Sequence, residues 1–297
     1  MNPHRAPLGD GADPSLVVHG ASRPRLSWAE HGPQRILGSF TENADLIMQL
    51  TRREIAARYR GSALGVAWSF VTPILMLAIY TFVFSVVFQT RWAVTLNSRF
   101  EFALVLFAGL IVYTLFAECI GRAPALMFEN PSYIKRIVFP VEALAWVSVL
   151  NALFNAAIAF AILLAAYLFT VGVPPATAVL LPLVIAPLVL LILGSVWFLA
   201  ATGVYLRDVR QLVGVILPVL MFASPLFYPI SALPERFRGY MKLNPLATAM
   251  EQVRGIVLFG HLPDWTWLAI SLALSLVVAW GGLVWFLVTK RGFADVV

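Results

Sequence analysis

The chain has 297 residues, of which 60% are hydrophobic and only 12% are charged. This composition, with its long uncharged apolar runs, excludes an ordinary soluble domain and is typical of an integral membrane protein. A transmembrane β-barrel would show short alternating segments, so the long runs predict an all-α bundle. The net charge of +6 does not indicate nucleic-acid binding, because the basic residues cluster beside the apolar runs, where membrane topology explains them.

The N-terminal part of the chain is polar. Residues 1–40 contain scattered Pro, Gly, Ser and charge without the apolar core of a signal peptide, so we expect a mostly disordered cytoplasmic tail. Residues 41–60 are predicted to be helical with a basic end, but their apolar side chains fall on two nearly opposite faces. Either this helix lies on the membrane surface with protein on its other side, or it breaks near TRRE (residues 51–54), which has capping-box spacing.

Six apolar segments follow, each long enough to cross the hydrocarbon layer. The predicted spans lie at about residues 64–89, 102–127, 143–170, 178–204, 212–229 and 265–289. An even number of spans places both termini on one side of the membrane. Basic residues concentrate in the segments that are cytoplasmic when the N-terminus is inside, so we predict that both termini are cytoplasmic.

The segment between spans five and six does not follow this charge rule, because it carries several basic residues on the predicted outer side. Its apolar part is too short to cross the membrane and contains Glu251 and Arg254. Pro225 and Pro229 bend or break the end of the preceding span. We therefore predict that residues 230–260 form a re-entrant pair of outer helices held against protein.

The sequence shows no site for catalysis or metal binding. It lacks the G-x-x-x-x-G-K-[ST] loop that cradles nucleotide phosphates, so any ATP that drives this protein is bound by another chain. Its four histidines are isolated, and no pair has metal-ligand spacing. No internal repeat is visible, which argues against many secondary-transporter folds.

Two groups of side chains inside the spans invite a functional interpretation. Glu118 and Arg122 are four residues apart in span two, which predicts an ion pair on one helix face, with a gate or a contact to an anionic lipid as the alternatives. Tyr80, Phe84 and Phe88 form an aromatic ridge on span one. This ridge serves either helix packing and lipid contact or a pore lining over which sugar rings slide.

The segment ENPSYIKRIVFPVE, residues 129–142, is unusually rich in charge and proline. Asn130 can cap a helix and Pro131 fits its first position, while Pro140 marks its end. The predicted short helix carries an apolar ridge with flanking basic side chains, formed by Ile134, Val138, Lys135 and Arg136. Such a helix suits docking into a groove of a partner protein. The alternative is an ordinary cytoplasmic loop, for which the basic pair alone would satisfy the charge rule.

Three ordered stretches of this sequence resemble one known family. They are RREIAARYRGSALGVAWSFVTPILMLAIYTFVFSVVF, NPSYIKRIVFPVE and SPLFYPISALPERFRGYMKLNPLATAMEQVR. Together they resemble the membrane subunits of bacterial polysaccharide-export ABC transporters, which are the permeases for O-antigen, capsule and teichoic acid. The resemblance runs from about residue 41 to the C-terminus and leaves out residues 1–40.

The resemblance implies a permease of the bacterial inner membrane. Two copies of the chain would form the channel, pair with two ABC ATPase subunits that hold ATP and Mg²⁺, and move a lipid-linked polysaccharide. Residues 41–297 would then be one permease domain, embedded in membrane lipids.

The resemblance also assigns roles to residues. The coupling helix that contacts the ATPase would comprise Asn130, Pro131, Tyr133, Ile134, Lys135, Arg136, Val138 and Phe139. The interfacial helix at 41–60 would also contact the ATPase, and its residues would include Arg52, Arg53, Arg58 and Tyr59. The outer gate would contain Pro225, Pro229, Asn244, Pro245, Glu251 and Arg254, and the sugar path would contain Tyr80, Phe84 and Phe88. The alternatives are a secondary transporter and a membrane enzyme acting on lipid-linked sugars.

Overall fold

The computed structural model describes residues 32–58, 60–61, 65–83, 99–134 and 139–296, and every regular element in these ranges is helical. The described residues from Pro33 onward form one compact unit. The helices, in chain order, are α1 (Gln34–Thr41), α2 (Ala44–Arg58), α3 (Trp68–Tyr80), α4 (Arg99–Arg122), α5 (Pro131–Ile134), α6 (Ala143–Thr170), α7 (Leu181–Tyr205), α8 (Asp208–Ala223), α9 (Glu235–Leu243), α10 (Pro245–Leu258), α11 (Trp265–Thr289) and α12 (Phe293–Val296).

Four helical segments are long and apolar enough to cross a membrane. They are Phe100–Ala125, Ala143–Thr170, Ala176–Tyr205 and Trp265–Gly292. They coincide with predicted spans two, three, four and six. The prediction of an all-α membrane protein is therefore confirmed by the helical structure of the described residues and by the length and composition of these four helices.

The predicted spans one and five correspond to shorter helices. Span one contains the apolar helix Trp68–Val83, which follows a 3₁₀ turn at Gly65–Ala67. Residues 64 and 84–89 of its predicted length lie outside the described residues. Span five is α8, which ends at Ala223, before its predicted end at residue 229. Ser224 has an extended backbone, since a residue that precedes a proline disfavours the helical conformation. The count of six spans and the cytoplasmic termini stay predictions.

Helix α4 is the centre of the bundle. It is the most completely buried of the four long apolar helices, and α3, α6, α7, α8 and α10 all pack on it.

Helices α7 and α11 approach each other closely. A Cβ atom at Gly282 would overlap the carbonyl group of Gly194, and a Cβ at Gly194 would lie 2.5 Å from the Ala279 Cα atom. Small residues permit this approach, which is how helices gain packing energy in lipid.

The predicted interfacial helix begins and ends differently from the 41–60 interval. The chain forms α1 and then α2, with the break at Glu42 and Asn43. Helix α2 runs unbroken through residues 51–54, so the proposed break at TRRE is wrong. Thr51 donates its hydroxyl to the Ile47 carbonyl oxygen at 2.8 Å, which is a bond within a helix and not a cap. Residues 34–40, assigned to the tail, are helical, and residues 1–31 lie outside the described residues.

The segment between predicted spans five and six contains two helices, α9 and α10. Asn244 caps α10, because its side-chain oxygen accepts hydrogen bonds from the backbone amides of Leu246 and Ala247. One face of α10 is buried against α4 and α7. The two helices agree with the predicted pair, and their re-entrant position in the bilayer stays a prediction.

Candidate functional site

The predicted coupling helix is only partly visible. Its described part, α5, has four residues, and the positions of Lys135, Arg136 and Val138 lie outside the described residues. The Asn130 side-chain amide donates to the Leu126 carbonyl oxygen at 2.9 Å, which ties the start of α5 to the turn that follows α4.

The two sides of α5 differ in exposure. Ile134 is buried in the core of the chain, so its side chain does not lie on a docking surface. Pro131 and Ser132 are exposed. The Tyr133 ring stacks on Phe139 with centroids 4.6 Å apart. Pro131 and Ser132 are therefore the residues of α5 that are exposed.

A network of charged and amide side chains lies behind this loop, and we call it the loop-end network. Its members come from α2, α4, α6 and the turn before α5, and are Glu54, Arg58, Glu118, Arg122, Glu129, Asn151 and Asn155. Arg122, the last residue of α4, is its centre. The Arg122 side chain pairs with Glu54 of α2 through Nη1, and with Glu129 through Nε at 2.7 Å. The Asn151 amide also donates to Glu54, at 3.1 Å.

The second half of the loop-end network is centred on Glu118. Arg58 Nη2 donates to Glu118 Oε1 at 2.6 Å, and the Asn155 amide nitrogen lies 3.2 Å from both Glu118 oxygens. Glu118 therefore joins α2, α4 and α6.

The predicted ion pair between Glu118 and Arg122 is not formed. Helix α2 carries Glu54 and Arg58 in the same acid-first order and four-residue spacing, and it pairs with α4 crosswise: Glu54 with Arg122, and Arg58 with Glu118. The opposite charges on a neighbouring helix replace the pair within one helix. An isolated sequence pattern on α4 could not reveal this partner.

The predicted interfacial residues differ in their contacts. Arg58 belongs to the loop-end network, and Arg53 Nη1 donates to the Tyr133 hydroxyl at 3.3 Å. Arg52 is exposed, and Tyr59 lies outside the described residues. Helix α2 thus contacts both the end of α4 and the predicted coupling segment.

A second site lies near the other end of α4, at the predicted outer gate. The Arg254 side chain is only 1% exposed, and its guanidinium donates hydrogen bonds to several described residues. It donates to the carbonyl oxygens of Val105 (2.9 Å), Pro225 (2.6 Å) and Leu226 (3.0 Å). It also pairs with the Glu251 carboxylate at 3.0 Å. A buried cation is tolerated only with such partners.

Gly109 makes room for Arg254, and the sequence analysis missed it. A Cβ atom at Gly109 would overlap the guanidinium Nη2 atom and lie 3.0 Å from Cζ. The available signal was a glycine in the middle of an apolar helix, which can mark a close contact.

The other predicted gate residues do not all contact Arg254. Asn244 donates its amide to the Ser224 hydroxyl at 3.1 Å, so it fixes the start of α10 to the residue before Pro225. Pro245 is the first residue of α10. Pro229 lies further along, before a short 3₁₀ turn at Ile230–Ala232. Pro225, Glu251 and Arg254 meet directly.

Of the three residues predicted to line the sugar path, only Tyr80 lies in the part of the chain that the structure describes. Tyr80 is the last residue of α3 and is partly exposed. Phe84 and Phe88 lie outside the described residues.

An open cavity of about 380 Å³ lies between α3, α4 and α6. Its walls are mostly apolar, and Arg58, Glu118 and Asn155 of the loop-end network line one end.

Comparisons with known proteins agree with this architecture. Residues 45–258 match the profile of the family described as ABC-2 type transporter. The chain is 28% identical over 263 residues to the O-antigen export system permease protein RfbA of Myxococcus xanthus, covering 88% of this chain and 98% of the relative. It is 24% identical over 254 residues to RfbA of Klebsiella pneumoniae (85% and 95%). It is also 22% identical over 232 residues to the polysialic acid transport protein KpsM of Escherichia coli (78% and 88%).

Proposed function

Since the chain belongs to the ABC-2 type transporter family, we propose that it is the membrane subunit of an ATP-driven exporter of a lipid-linked polysaccharide. In this proposal two copies form the channel in the bacterial inner membrane. Two separate ABC ATPase subunits bind ATP and Mg²⁺ and drive the transport, and the chain itself catalyses no reaction.

The relatives support this choice of substrate class. Two of them are named for O-antigen export and one for polysialic acid transport, and the match extends over most of the length of each. Both substrates are polysaccharides. The family match also favours an ATP-driven transporter over the secondary transporter and the membrane enzyme that the sequence left open.

The observation that carries the mechanism is the position of Arg122. Its side chain bonds Glu129, just before α5, and Glu54 on α2. A displacement of the coupling segment by an ATPase would therefore pull on α2 and α4 together. We propose that Arg122 passes this displacement into the bundle, while α2 and the exposed part of α5 contact the ATPase.

The pairs of this network contribute little to stability. Their side chains are about 27% to 43% exposed, and exposed ion pairs are worth only about 0–1 kcal/mol. We propose that their role is positional: they hold three parts of the chain in one arrangement.

The outer gate is proposed at the opposite end, where Arg254 joins α10, α4 and the segment after α8. The proposed sugar path includes Tyr80, Phe84 and Phe88, whose aromatic faces offer apolar area to sugar rings.

The test is co-expression of the chain with its candidate ATPase, followed by measurement of ATP hydrolysis and polysaccharide export in proteoliposomes. We expect export only with ATP and the ATPase, and export without them would establish a secondary transporter. Arg122→Gln should lower export and leave the complex assembled. Arg210→Gln, which changes an exposed arginine at the start of α8, is the matched control and should export normally. Equal export by both variants would contradict the role of Arg122.

A further inference from the structure

The cavity between α3, α4 and α6 has the height of one lipid leaflet. Its wall on α4 runs from Phe107 to Glu118, which corresponds to about 16 Å at the rise of an α-helix. The hydrocarbon core of a bilayer is about 30 Å thick, so one leaflet accounts for about 15 Å. The cavity therefore matches the depth that one lipid chain occupies.

The cavity also has the composition of a ligand site. Its volume of about 380 Å³ falls in the range of about 300–1,000 Å³ that is usual for small-molecule pockets, which are mostly apolar with a few convergent polar groups. Trp68 and Met76 of α3 line it and are 43% and 41% exposed, so the cavity is open on the side of α3.

Among the described residues, the charged groups at the polar end of the cavity are Arg58 and Glu118. Arg58 and Glu118 pair at 2.6 Å, and their side chains remain 37% and 33% exposed. Glu118 lies one helical turn, about 6 Å, before the end of α4 at Arg122. A charged pair near the end of a spanning helix is at the depth of lipid head groups, where polar groups are least costly.

We propose that this cavity binds one acyl chain of a zwitterionic phospholipid with an amine head group, such as phosphatidylethanolamine. The head-group phosphate contacts Arg58, the ammonium contacts Glu118, and the acyl chain lies along the apolar wall of α4. The lipid places a group of opposite charge against each member of the Arg58–Glu118 pair. An anionic lipid without an amine would place its phosphate beside the Glu118 carboxylate, and like charges repel.

The test of this binding site requires no ATPase and no measurement of polysaccharide export. The full chain is reconstituted into nanodiscs that contain equal amounts of phosphatidylethanolamine and phosphatidylglycerol. Lipids that stay bound after extraction into detergent are then counted by native mass spectrometry. We expect the protein to retain phosphatidylethanolamine preferentially.

Two variants separate the head-group contact from the chain contact. Glu118→Gln removes the partner of the ammonium and should reduce the preference for phosphatidylethanolamine roughly fivefold. Ala156→Phe fills the cavity wall on α6 and should abolish retention. Asp208→Asn neutralises an exposed acid outside the cavity and should change neither result. Retention of phosphatidylglycerol in preference, or equal retention by the Ala156→Phe variant, would overturn the proposal.

A second measurement needs no change to the cavity wall on α6. Phosphatidylethanolamine with a brominated acyl chain quenches nearby tryptophan fluorescence, and Trp68 lines the cavity. The difference in emission between the unmodified chain and Trp68→Phe isolates this residue. We expect brominated phosphatidylethanolamine to quench it more strongly than brominated phosphatidylglycerol. Equal quenching by the two lipids would show that no selective site exists there.

Discussion

Arg254 of α10 donates a hydrogen bond from Nε to the carbonyl oxygen of Val105 on α4, at 2.9 Å, across 149 positions of the chain. The remaining guanidinium nitrogens bond two carbonyl oxygens of the segment after α8 and the Glu251 carboxylate. The predicted outer gate is therefore fixed to the central helix by one buried side chain. Any opening of α10 away from α4 must break the hydrogen bond between Arg254 and Val105.

Gly109→Ala should weaken this attachment. The added methyl group would overlap the Arg254 guanidinium, and overpacking of this kind costs about 1–3 kcal/mol. The readout is thermal unfolding in detergent with a thiol-reactive dye, because Cys119 is the chain's only cysteine and is buried. Gly121→Ala, on the same helix with open space around its Cβ position apart from an ordinary contact at 3.4 Å, is the control. It should be neutral or stabilising by up to about 1 kcal/mol, and an equal loss in both variants would contradict the explanation.

Arg254→Lys should destabilise the protein although it keeps the charge. A single ammonium group cannot reach all the acceptors that the planar guanidinium spans, and the buried carbonyl oxygens left without donors cost about 1–3 kcal/mol each. Glu251→Gln should have a smaller effect of below about 1 kcal/mol, because the Glu251 side chain is 39% exposed. Unfolding of the two variants, compared by the same dye assay, gives the order. A larger loss for Glu251→Gln would contradict the assignment of the carbonyl oxygens as the main partners.

The opposite end of the bundle shows how far the sequence could predict the site. The length of the apolar segments alone identified the four long spans, because the length and composition of a segment do not depend on how it packs. Glu118 and Arg122 each have an ion-pair partner on α2, 60 and 68 residues earlier, and a pattern within one helix gives no information about these partners. The acceptors of Arg254 are mostly backbone carbonyl oxygens, which every residue has, so no residue type marked them.

The same limit explains why the sequence wrongly allowed a break at residues 51–54 of the interfacial helix. Thr51 and Glu54 have the spacing of a capping box, yet Thr51 bonds the carbonyl oxygen of Ile47 within the continuous helix. Its hydroxyl can serve either a cap or a helix interior. The packing of α2 against α6, which keeps Ile47 fully buried, favours the continuous helix. The spacing of residues within α2 gives no information about this packing.

Ser132→Asp and Ile134→Asp should have different consequences, although the two residues belong to the same short helix. Ile134 is buried in the core, so an aspartate there should lower stability by several kcal/mol through burial of an unpaired charge. Ser132 is exposed, so its substitution should leave the unfolding temperature unchanged and reduce ATPase stimulation in the reconstituted complex. Normal stimulation by Ser132→Asp would show that the exposed side of α5 does not contact the ATPase.

Gly282→Ala should weaken the contact between α11 and α7, whereas Gly281→Ala should not. The two glycines are neighbours, so they share a membrane depth and a helix. A Cβ atom at Gly282 would overlap the Gly194 carbonyl group, whereas a Cβ at Gly281 would meet no atom within 4 Å. In lipid, helices associate through close packing, so the first variant should lose about 1–3 kcal/mol as an overpacked contact. The second should gain up to about 1 kcal/mol from helix propensity. Dye-monitored unfolding of both in the same detergent measures the difference, and equal melting temperatures would mean that the contact of α7 and α11 adapts to a methyl group without cost.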